Sequence, residues 1–248
     1  MPDLPLKNRI ALVTGASRGI GHASALALAK AGAHVVAVAR TQGALEALDD
    51  EIKALTGQPA TLVPMDLADA DGLDQLGLAL HDRFGRLDIL LHAAAMLGPL
   101  TPVAHIDPKQ WDKVVALNLT ASYRLIRAME PLLRAAERPR AIFLTSGRAI
   151  RPKAFWGPYG VTKAGLEHMV RTWADELEQT KIRAVLLDPG VMRTRMRAEA
   201  MPGEDPATLP DPSEIGPLVV ELAQADLGLP SASVVFSDWK TAGTLASA

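Results

Sequence analysis

The stretch that decides the fold reads Arg9-Ile-Ala-Leu-Val13, followed directly by Thr14-Gly-Ala-Ser-Arg-Gly-Ile-Gly21. Its first part is a short, apolar, β-branched run, which predicts a buried strand. The Ala- and Leu-rich segment from His22 to Ala31 predicts a buried helix that is closed by Gly32. A strand, a glycine-rich turn and a helix in this order bring unpaired N–H groups and the positive end of a helix dipole to one point. The stretch therefore predicts a pyrophosphate site, where glycines let the backbone approach the phosphates.

Two other motifs compete for this turn. Its spacing is G-x-x-x-G-x-G, and no Gly-Lys-Ser/Thr ends it, which excludes a P-loop. Residues 15–19 also match G-x-S-x-G, the nucleophile elbow of α/β-hydrolases. A hydrolase elbow normally follows several strands and needs a late histidine, whereas here eight residues precede the first strand. The only histidine past residue 105 is His168, inside a predicted helix, so the hydrolase alternative is weak.

A second constellation lies in the later half of the chain, where Tyr159-Gly-Val-Thr-Lys163 follows Ser146 by 13 residues. Residues at i and i+4 of a helix share one face, so Tyr159 and Lys163 are expected to be neighbours. A free phenol has a pKa of about 10, and an ammonium one turn away lowers that pKa toward the working range. A tyrosine and a lysine at this spacing are also common on helix surfaces. The functional interpretation of the pair therefore depends on the glycine-rich turn in the same chain.

Together the two constellations resemble the short-chain dehydrogenase/reductase family in its single-domain form. Within the family, the sequence resembles the members that are similar to 3-oxoacyl-(acyl-carrier-protein) reductase. The resemblance covers roughly residues 7–238. It rests on motifs that occur in the family's order, namely the Thr14–Gly21 turn, Asp66, the 88–95 segment, Asn118, Ser146, Tyr159, Lys163 and the Pro189-Gly190 turn.

The resemblance implies an oxidoreductase that interconverts a ketone and a secondary alcohol by hydride transfer. It implies four catalytic residues, Asn118, Ser146, Tyr159 and Lys163. Ser146 is expected to hydrogen-bond the substrate oxygen and Tyr159 to pass its proton. Lys163 is expected to bind the nicotinamide ribose and to lower the pKa of Tyr159. Asn118 is expected to perturb a long helix and to hold a water that links the lysine to solvent. An intact set of four argues against the alternative, a non-catalytic dinucleotide-binding regulatory module.

The cofactor preference is predicted from charge. The second strand ends Val38-Ala-Arg-Thr41, without the carboxylate that binds the ribose of NAD(H). Arg40 is placed to pair with a 2′-phosphate, and Arg18 is close enough in the motif to assist, so NADP(H) is expected rather than NAD(H). Asp66 and the amide of Leu67 are expected at the adenine. The predicted cofactor-binding residues are Gly15, Ser17, Arg18, Gly19, Ile20, Gly21, Arg40, Thr41, Asp66, Leu67, Ala93, Ala94, Tyr159, Lys163, Pro189, Gly190 and Thr194.

The chain departs from the family pattern in two places. The usual Asn-Asn-Ala-Gly after the fourth strand is His92-Ala-Ala-Ala95 here. Because the second asparagine normally ties the sheet to a neighbouring helix, we expect lower stability or a shifted adenosine side. The last strand ends Phe236-Ser-Asp-Trp239 and lacks the common Asp-Gly-Gly.

Composition sets the remaining bounds. With 248 residues, 48% of them hydrophobic, the chain is expected to form one large domain over residues 1–248. A net charge of −2 gives no reason to expect nucleic acid or an anionic membrane as a partner. The absence of cysteine excludes disulfides and thiolate catalysis, and the six scattered histidines predict no metal site. The start Met1-Pro-Asp-Leu-Pro5 lacks a signal-peptide pattern, and the longest apolar segment, 89–100, is too short to span a bilayer. A cytoplasmic protein with a small-molecule carbonyl or alcohol substrate is expected.

The alternation of patterns predicts an α/β fold, a doubly wound (Rossmann) parallel seven-stranded sheet with helices on both faces. Strands are predicted at 9–13, 33–39, 60–65, 87–92, 140–145, 182–187 and 232–236. Helices are predicted at 20–31, 42–55, 69–84, 108–136, 158–179 and 212–225.

The stretch 191–213 is the one long irregular segment. By position it resembles the family's substrate-covering loop, and Met192, Met196 and Met201 suit an adaptable apolar wall. Further walls are expected from residues 97–103 and 148–156. The sequence does not determine the identity of the substrate. An anionic substrate is compatible with the cations of this region but is not required by them; these cations are Arg148, Arg151, Lys153 and Arg193.

The helices that begin near Pro108 and Pro158 carry apolar residues on more than one face. An extra apolar face on a soluble helix is typical of a partner surface, and most family members of this size associate through these two helices. A homodimer or homotetramer is therefore expected, unless the excess packs within the chain. The residues concerned are Leu117, Leu119, Tyr123, Leu125, Ile126, Met129, Leu132, Leu133, Val161, Leu166, Met169, Val170, Trp173 and Leu177.

Overall fold

Seven strands form the centre of the computed structural model, which describes residues 4–224 and 231–245. The strands are β1 Ile10–Thr14, β2 His34–Ala39, β3 Thr61–Pro64, β4 Ile89–His92, β5 Arg140–Leu144, β6 Arg183–Asp188 and β7 Ser231–Val235. Their order is β3-β2-β1-β4-β5-β6-β7, and neighbouring strands are parallel throughout. The order reverses at β1, so the connections diverge there and open a crevice at the carboxyl ends of β1 and β4.

Helices cover both faces of this sheet, which is why its strands are nearly continuous in apolar residues. The helices are α1 Gly19–Lys30, α2 Gln42–Thr56, α3 Ala70–Phe84, α4 Pro108–Val115, α5 Ala121–Arg134, α6 Gly157–Glu176, α7 Arg195–Ala200, α8 Gly216–Gln224 and α9 Phe236–Ala242. Helices α1, α2 and α8 share one core, whereas α3, α5 and α6 share the other. Within β1, Ala11 and Val13 enter the first core and Leu12 the second, because side chains alternate along a strand. The predicted doubly wound fold is confirmed.

The predicted helix over 108–136 is interrupted. A π-helical turn, Ala116–Thr120, separates α4 from α5, and α5 ends at Arg134. A π-helical turn is rare and occurs mostly at functional sites. The turn is centred on Asn118, the residue that was expected to perturb this helix.

The segment 191–213 is more regular than predicted, because it contains α7. Thr194 begins this helix, and its Oγ1 accepts a hydrogen bond from the N–H of Arg197 at 3.2 Å. Asp211 caps the 3-10 turn Pro212–Ile215, which leads into α8. The predicted helix over 212–225 therefore begins as a 3-10 turn, and residue 225 lies outside the described residues.

The C-terminal segment without Asp-Gly-Gly forms α9, which was not predicted. The rings of Phe236 and Trp239 stack with centroids 5.9 Å apart, and Phe236 is buried. The indole Nε1 of Trp239 donates to Glu221 of α8 at 2.7 Å, so α9 is held against the core. Across residues 4–224 and 231–245, no helix combines the length and apolarity that a bilayer crossing requires.

Candidate active site

The glycine-rich turn after β1 is closely packed against the segment that follows β4. Gly15 has φ +69°, and a Cβ on it would lie 2.8 Å from the N atom of Ala94. A Cβ on Gly21 would lie 2.3 Å from the carbonyl oxygen of Gly15. Neither position accepts a side chain. The first helical residue is Gly19, and the side chain of Arg18 does not cap α1, which leaves its N-terminal N–H groups open to a ligand.

This turn opens into a cavity of about 1740 Å³ at the crevice between β1 and β4. Most of the predicted cofactor residues line it, namely Gly15, Ser17, Arg18, Gly19, Ile20, Gly21, Arg40, Asp66, Leu67, Ala93, Ala94, Tyr159, Lys163, Pro189 and Thr194. Four predicted site residues do not line the cavity, namely Thr41, Asn118, Ser146 and Gly190. Thr41 is the N-terminal cap position of α2, and the N–H of Gly190 is turned to Asp188 Oδ1 at 2.9 Å.

The two predicted phosphate-binding arginines are exposed at the mouth of the cavity. The guanidinium Nη1 of Arg40 lies 3.8 Å from Oδ2 of Asp66, and both side chains are largely exposed. An exposed pair at this distance is weak and leaves the guanidinium available to another anion. Asp66 is not the cap of α3, because that role belongs to Asp69, whose side chain accepts from the N–H of Gly72.

Helix α6 places Tyr159 and Lys163 one turn apart, and both side chains are buried. The Nζ of Lys163 donates to the carbonyl oxygen of Leu144, the last residue of β5, at 2.7 Å. The same Nζ lies 5.9 Å from the ring centroid of Tyr159. Ser146 follows β5 by two residues and hydrogen-bonds to Tyr159. The structure therefore brings the predicted serine, tyrosine and lysine together.

Burial dominates the protonation of this group. It raises the pKa of Tyr159 to about 12, against a smaller opposite effect of the hydrogen bond with Ser146. Burial also lowers the pKa of Lys163 to about 8, although the carboxylates of Asp188 and Glu167 favour its charged form. The net shift of the Tyr159 pKa is thus upward, whereas the sequence analysis expects a lowered pKa. The reason is that desolvation of the phenol dominates while the ammonium is bonded to Leu144.

Asn118 occupies the π-helical turn and ties three elements together. Its Oδ1 accepts from the N–H of Met96 at 2.9 Å, and its Nδ2 donates to the carbonyl oxygen of Met96 at 2.9 Å and to Thr162 Oγ1 at 3.2 Å. Thr162 precedes Lys163 on α6. Asn118 is therefore a buried support of the cavity wall rather than a group at its surface.

His92 is the residue that sequence reasoning missed. Loss of the usual asparagines predicted a weaker tie between the sheet and a neighbouring helix, but that tie is present. The buried ring of His92 contacts Thr14 Oγ1 of β1 through Nδ1 at 2.8 Å and Ser122 Oγ of α5 through Nε2 at 2.9 Å. The available signal was a histidine inside an otherwise apolar strand.

The surroundings of Tyr159 are apolar. Leu97, Ala200 and Tyr159 form a small buried cluster, covered by the partly buried side chains of Leu100, Trp156, Met196 and Met201. The ring of Trp156 meets that of Tyr159 edge-on, with centroids 5.8 Å apart. Of the predicted methionines, Met196 lines the cavity, whereas Met201 packs against the cluster without lining the cavity.

Met192 does not belong to the predicted wall, because it packs in the buried core that α1, α2 and α8 share. Of the four cations that were considered for an anionic substrate, Arg193 is paired with Asp211. Arg148 and Lys153 lie 6.0 and 5.8 Å from the centroid of the Trp156 ring. The positive charges of Arg148 and Lys153 therefore lie beside the apolar wall.

Comparison with known proteins agrees with this geometry. Residues 9–205 match the sequence profile of the family described as short chain dehydrogenase. An uncharacterized oxidoreductase of Escherichia coli, YciK, is 35% identical over 223 residues, which cover 89% of this chain and 88% of YciK. A 3-oxoacyl-[acyl-carrier-protein] reductase of Synechocystis is 35% identical over 77% of each chain. A short chain dehydrogenase from Shigella flexneri, solved in complex with NADP, superposes with a TM-score of 0.89 at 34% identity over 94% of this chain and 98% of that one.

The fold and the site thus define a dinucleotide-binding oxidoreductase. The chain belongs to the short-chain dehydrogenase/reductase family, whose members use a nicotinamide dinucleotide.

Proposed function

We propose that the chain is an NADP(H)-dependent oxidoreductase that interconverts a ketone and a secondary alcohol. The observation that carries this proposal is that Tyr159, Lys163 and the glycine-rich turn line one cavity. A bound nicotinamide cofactor supplies or accepts the hydride. The chain's own residues hold the substrate oxygen and move its proton.

In the reducing direction, Ser146 hydrogen-bonds the substrate oxygen and Tyr159 transfers a proton to it. A pKa of about 12 keeps the phenol of Tyr159 protonated at neutral pH, which suits a proton donor better than a base. With a pKa of about 8, Lys163 is mostly charged at neutral pH, and its charge stabilises the phenolate that forms. The site is therefore proposed to favour reduction.

The turn after β1 fits a dinucleotide, because no side chain caps the N–H groups at the start of α1, where phosphates bind. Gly15 and Gly21 keep the turn tight, since a side chain at either position would collide with backbone atoms. Arg40 and Arg18 are proposed to bind the 2′-phosphate, and no carboxylate of β2 opposes them. Asp66 lies 3.8 Å from Arg40 and weakens the local positive charge, but its exposure limits that effect. The NADP complex of the Shigella flexneri relative supports the preference.

The substrate is proposed to carry apolar or aromatic groups on its carbonyl carbon. Trp156, Met196 and Met201 offer an apolar, adaptable wall beside Tyr159. The positive charges of Arg148 and Lys153 provide for a negative group at the far end of the substrate.

Two alternatives have weaker support. A non-catalytic dinucleotide-binding module has no need of the buried Tyr159 and Lys163, whose desolvation costs stability. An α/β-hydrolase needs a catalytic histidine late in the chain, after its nucleophile and its acid, yet the late histidine, His168, is exposed on α6 and does not line the cavity.

The test is a fluorescence titration with NADPH and NADH, followed by turnover assays with a panel of apolar, aromatic and acidic ketones. We expect tighter binding of NADPH and oxidation of NADPH by at least one ketone. Tight NADPH binding without turnover of any ketone would favour the module. Ester cleavage without a cofactor would favour the hydrolase.

We also propose a homo-oligomer that associates through α5 and α6. Most of the apolar residues expected on this surface are buried within the chain, so fewer of them are available to contact a partner subunit. Tyr123 and Val161 stay more than half exposed, at 54% and 52%. Close by, Ile126, Met169 and Trp173 line a groove between the two helices. Tyr123 also lines this groove, and Val161 is exposed nearer the start of α6. Exposed apolar residues on two neighbouring helices are typical of a partner surface.

A further inference from the structure

One buried histidine ring connects β1 and the segment after β4 with the start of α5 and the π-helical turn. His92 ends β4, and its Nδ1 lies 2.8 Å from Thr14 Oγ1 while its Nε2 lies 2.9 Å from Ser122 Oγ. Beyond Thr14, the N–H of Ala94 points to Thr14 Oγ1 at 3.4 Å. Beyond Ser122, the hydroxyl donates to the carbonyl oxygen of Asn118 at 2.9 Å. The chain of contacts runs from the cofactor side of the cavity to the π-helical turn.

The carbonyl of Asn118 determines the direction of each hydrogen bond in this series, from Ser122 through His92 to Thr14. The carbonyl of Asn118 can only accept, so the single hydroxyl proton of Ser122 points to it. Ser122 Oγ must then accept from His92, which places the ring proton on Nε2. The other ring nitrogen, Nδ1, is left as an acceptor for the hydroxyl of Thr14, whose oxygen accepts from Ala94. The ring is therefore the neutral Nε2–H tautomer.

The surroundings keep the ring in this state. His92 is buried, and its ring meets that of Phe143 edge-on with centroids 5.7 Å apart. Burial lowers the pKa of His92 to about 3, and the positive charge of Lys163 acts in the same direction. A protonated ring would put a hydrogen on Nδ1 and break the bond that Thr14 donates. The hydrogen-bond pattern and the burial are separate observations, and both favour the neutral ring of His92.

We propose that His92 is a positioning residue for the reaction: through Ser122 it holds the carbonyl of Asn118, and through Thr14 it holds the amide of Ala94. This inference rests on the proposed function. Asn118 in turn holds Met96 on the cavity wall and Thr162 beside Lys163. A shift of the π-helical turn would therefore move the lysine and the wall together.

Two substitutions of His92 separate its two contacts. The amide of a glutamine occupies the place of Nε2 and keeps the bond to Ser122, whereas the amide of an asparagine occupies the place of Nδ1 and keeps the bond to Thr14. We expect His92→Asn to lower kcat about 10-fold, as the loss of one buried hydrogen bond implies. His92→Gln is expected to keep kcat within about 3-fold of the wild type. Because it releases Thr14, and with it the amide of Ala94 at the cavity, its affinity for NADPH should fall, whereas His92→Asn keeps the Thr14 bond and should keep that affinity.

Ser122→Ala is the matched partner variant, and it removes one hydroxyl only. It should lower kcat by the same factor as His92→Asn, and the double variant should fall no further, because both changes break the same chain. Melting curves give the folded fraction at the assay temperature. The proposal would be overturned if His92→Asn and His92→Gln lost kcat equally. It would also be overturned if the loss of kcat in the double variant were the product of the two single losses, or if the unfolded fraction alone explained the losses. Ser122→Ala decides the question if His92→Asn does not fold.

A second measurement needs no activity. The ¹⁵N resonances of His92 in the wild type should show a proton on Nε2 alone, unchanged from about pH 5 to about pH 8. A proton on Nδ1, or titration in this range, would overturn the proposal. Failure of the wild type to oxidise NADPH with any ketone would instead refute the proposed function, and the tautomer would still decide whether this chain of bonds exists.

Discussion

The ammonium of Lys163 is bonded to the carbonyl oxygen of Leu144 at 2.7 Å, at the carboxyl end of β5. This bond anchors Lys163 one helical turn from Tyr159. The ammonium does not need to contact the phenol oxygen in order to be held there. It keeps a charge in a buried place, where desolvation lowers the pKa of Lys163 to about 8. The protonation of Lys163 therefore changes within the range where an enzyme can be assayed.

This relationship predicts a pH dependence of reduction. Below about pH 8 Lys163 is charged and supports proton transfer from Tyr159, and above it the charge is lost. Because kcat/KM reports the free enzyme, kcat/KM for NADPH should be constant from about pH 6 to about pH 7.5 and fall above about pH 8. A Lys163→Arg variant keeps its charge, so its residual activity should lack this fall. A flat profile for the wild type would contradict the prediction.

Tyr159→Phe should lower turnover by about 10²- to 10⁴-fold, because it removes the proton donor for the carbonyl oxygen. The affinity for NADPH, measured by fluorescence titration, should change little. The chain has one other tyrosine, Tyr123, which is exposed on α5, so Tyr123→Phe is the matched control and should keep full turnover. Near-normal turnover of Tyr159→Phe with the same ketone would refute the mechanism.

Arg40→Asp should reverse the cofactor preference. Loss of one charge-assisted hydrogen bond weakens NADPH binding by about 10- to 100-fold, and the new carboxylate can accept from the ribose hydroxyls of NADH. Titration with both cofactors gives the ratio of their affinities.

The control for this change is Arg127→Asp. Arg127 and Asp74 form a pair with the same 3.8 Å separation as Arg40 and Asp66, at similar exposure, but Arg127 does not line the cofactor cavity. The control should leave the affinity ratio unchanged. An unchanged ratio in Arg40→Asp as well would leave Arg18 as the phosphate-binding residue.

The proposed association through α5 and α6 predicts a mass of at least twice 26.4 kDa by light scattering at micromolar concentration. Val161→Glu adds a charge at an exposed position of α6 and should shift the protein toward monomer without unfolding it. The matched change at Val103, which is 70% exposed on another part of the surface, should leave the mass unchanged. A wild type that scatters as a clean monomer would rule out the association.

Local patterns predicted most of the architecture. The apolar runs placed all seven strands within one or two residues of their ends, because parallel strands covered on both faces must be apolar throughout. The glycine-rich turn was equally readable, because the positive φ of Gly15 and the collision of a side chain at Gly21 with Gly15 arise within the turn itself. The close approach of Ala94 to Gly15 adds a second constraint from a segment distant in sequence. The pairing of Tyr159 with Lys163 followed from helical periodicity alone.

What only the tertiary structure decided is how side chains distant in sequence satisfy one another. His92 meets Thr14 and Ser122, which are 78 and 30 residues away, and no local pattern encodes such a chain of bonds. The pKa of Tyr159 rises rather than falls, because burial is a property of the whole fold and outweighs a neighbour one turn away. Met192 is predicted at the substrate wall from the position of its segment and the adaptability of methionine, yet the path of the chain after β6 turns it into the core. Periodicity reports which face of an element is apolar, whereas partners, burial and charge depend on the assembled layers.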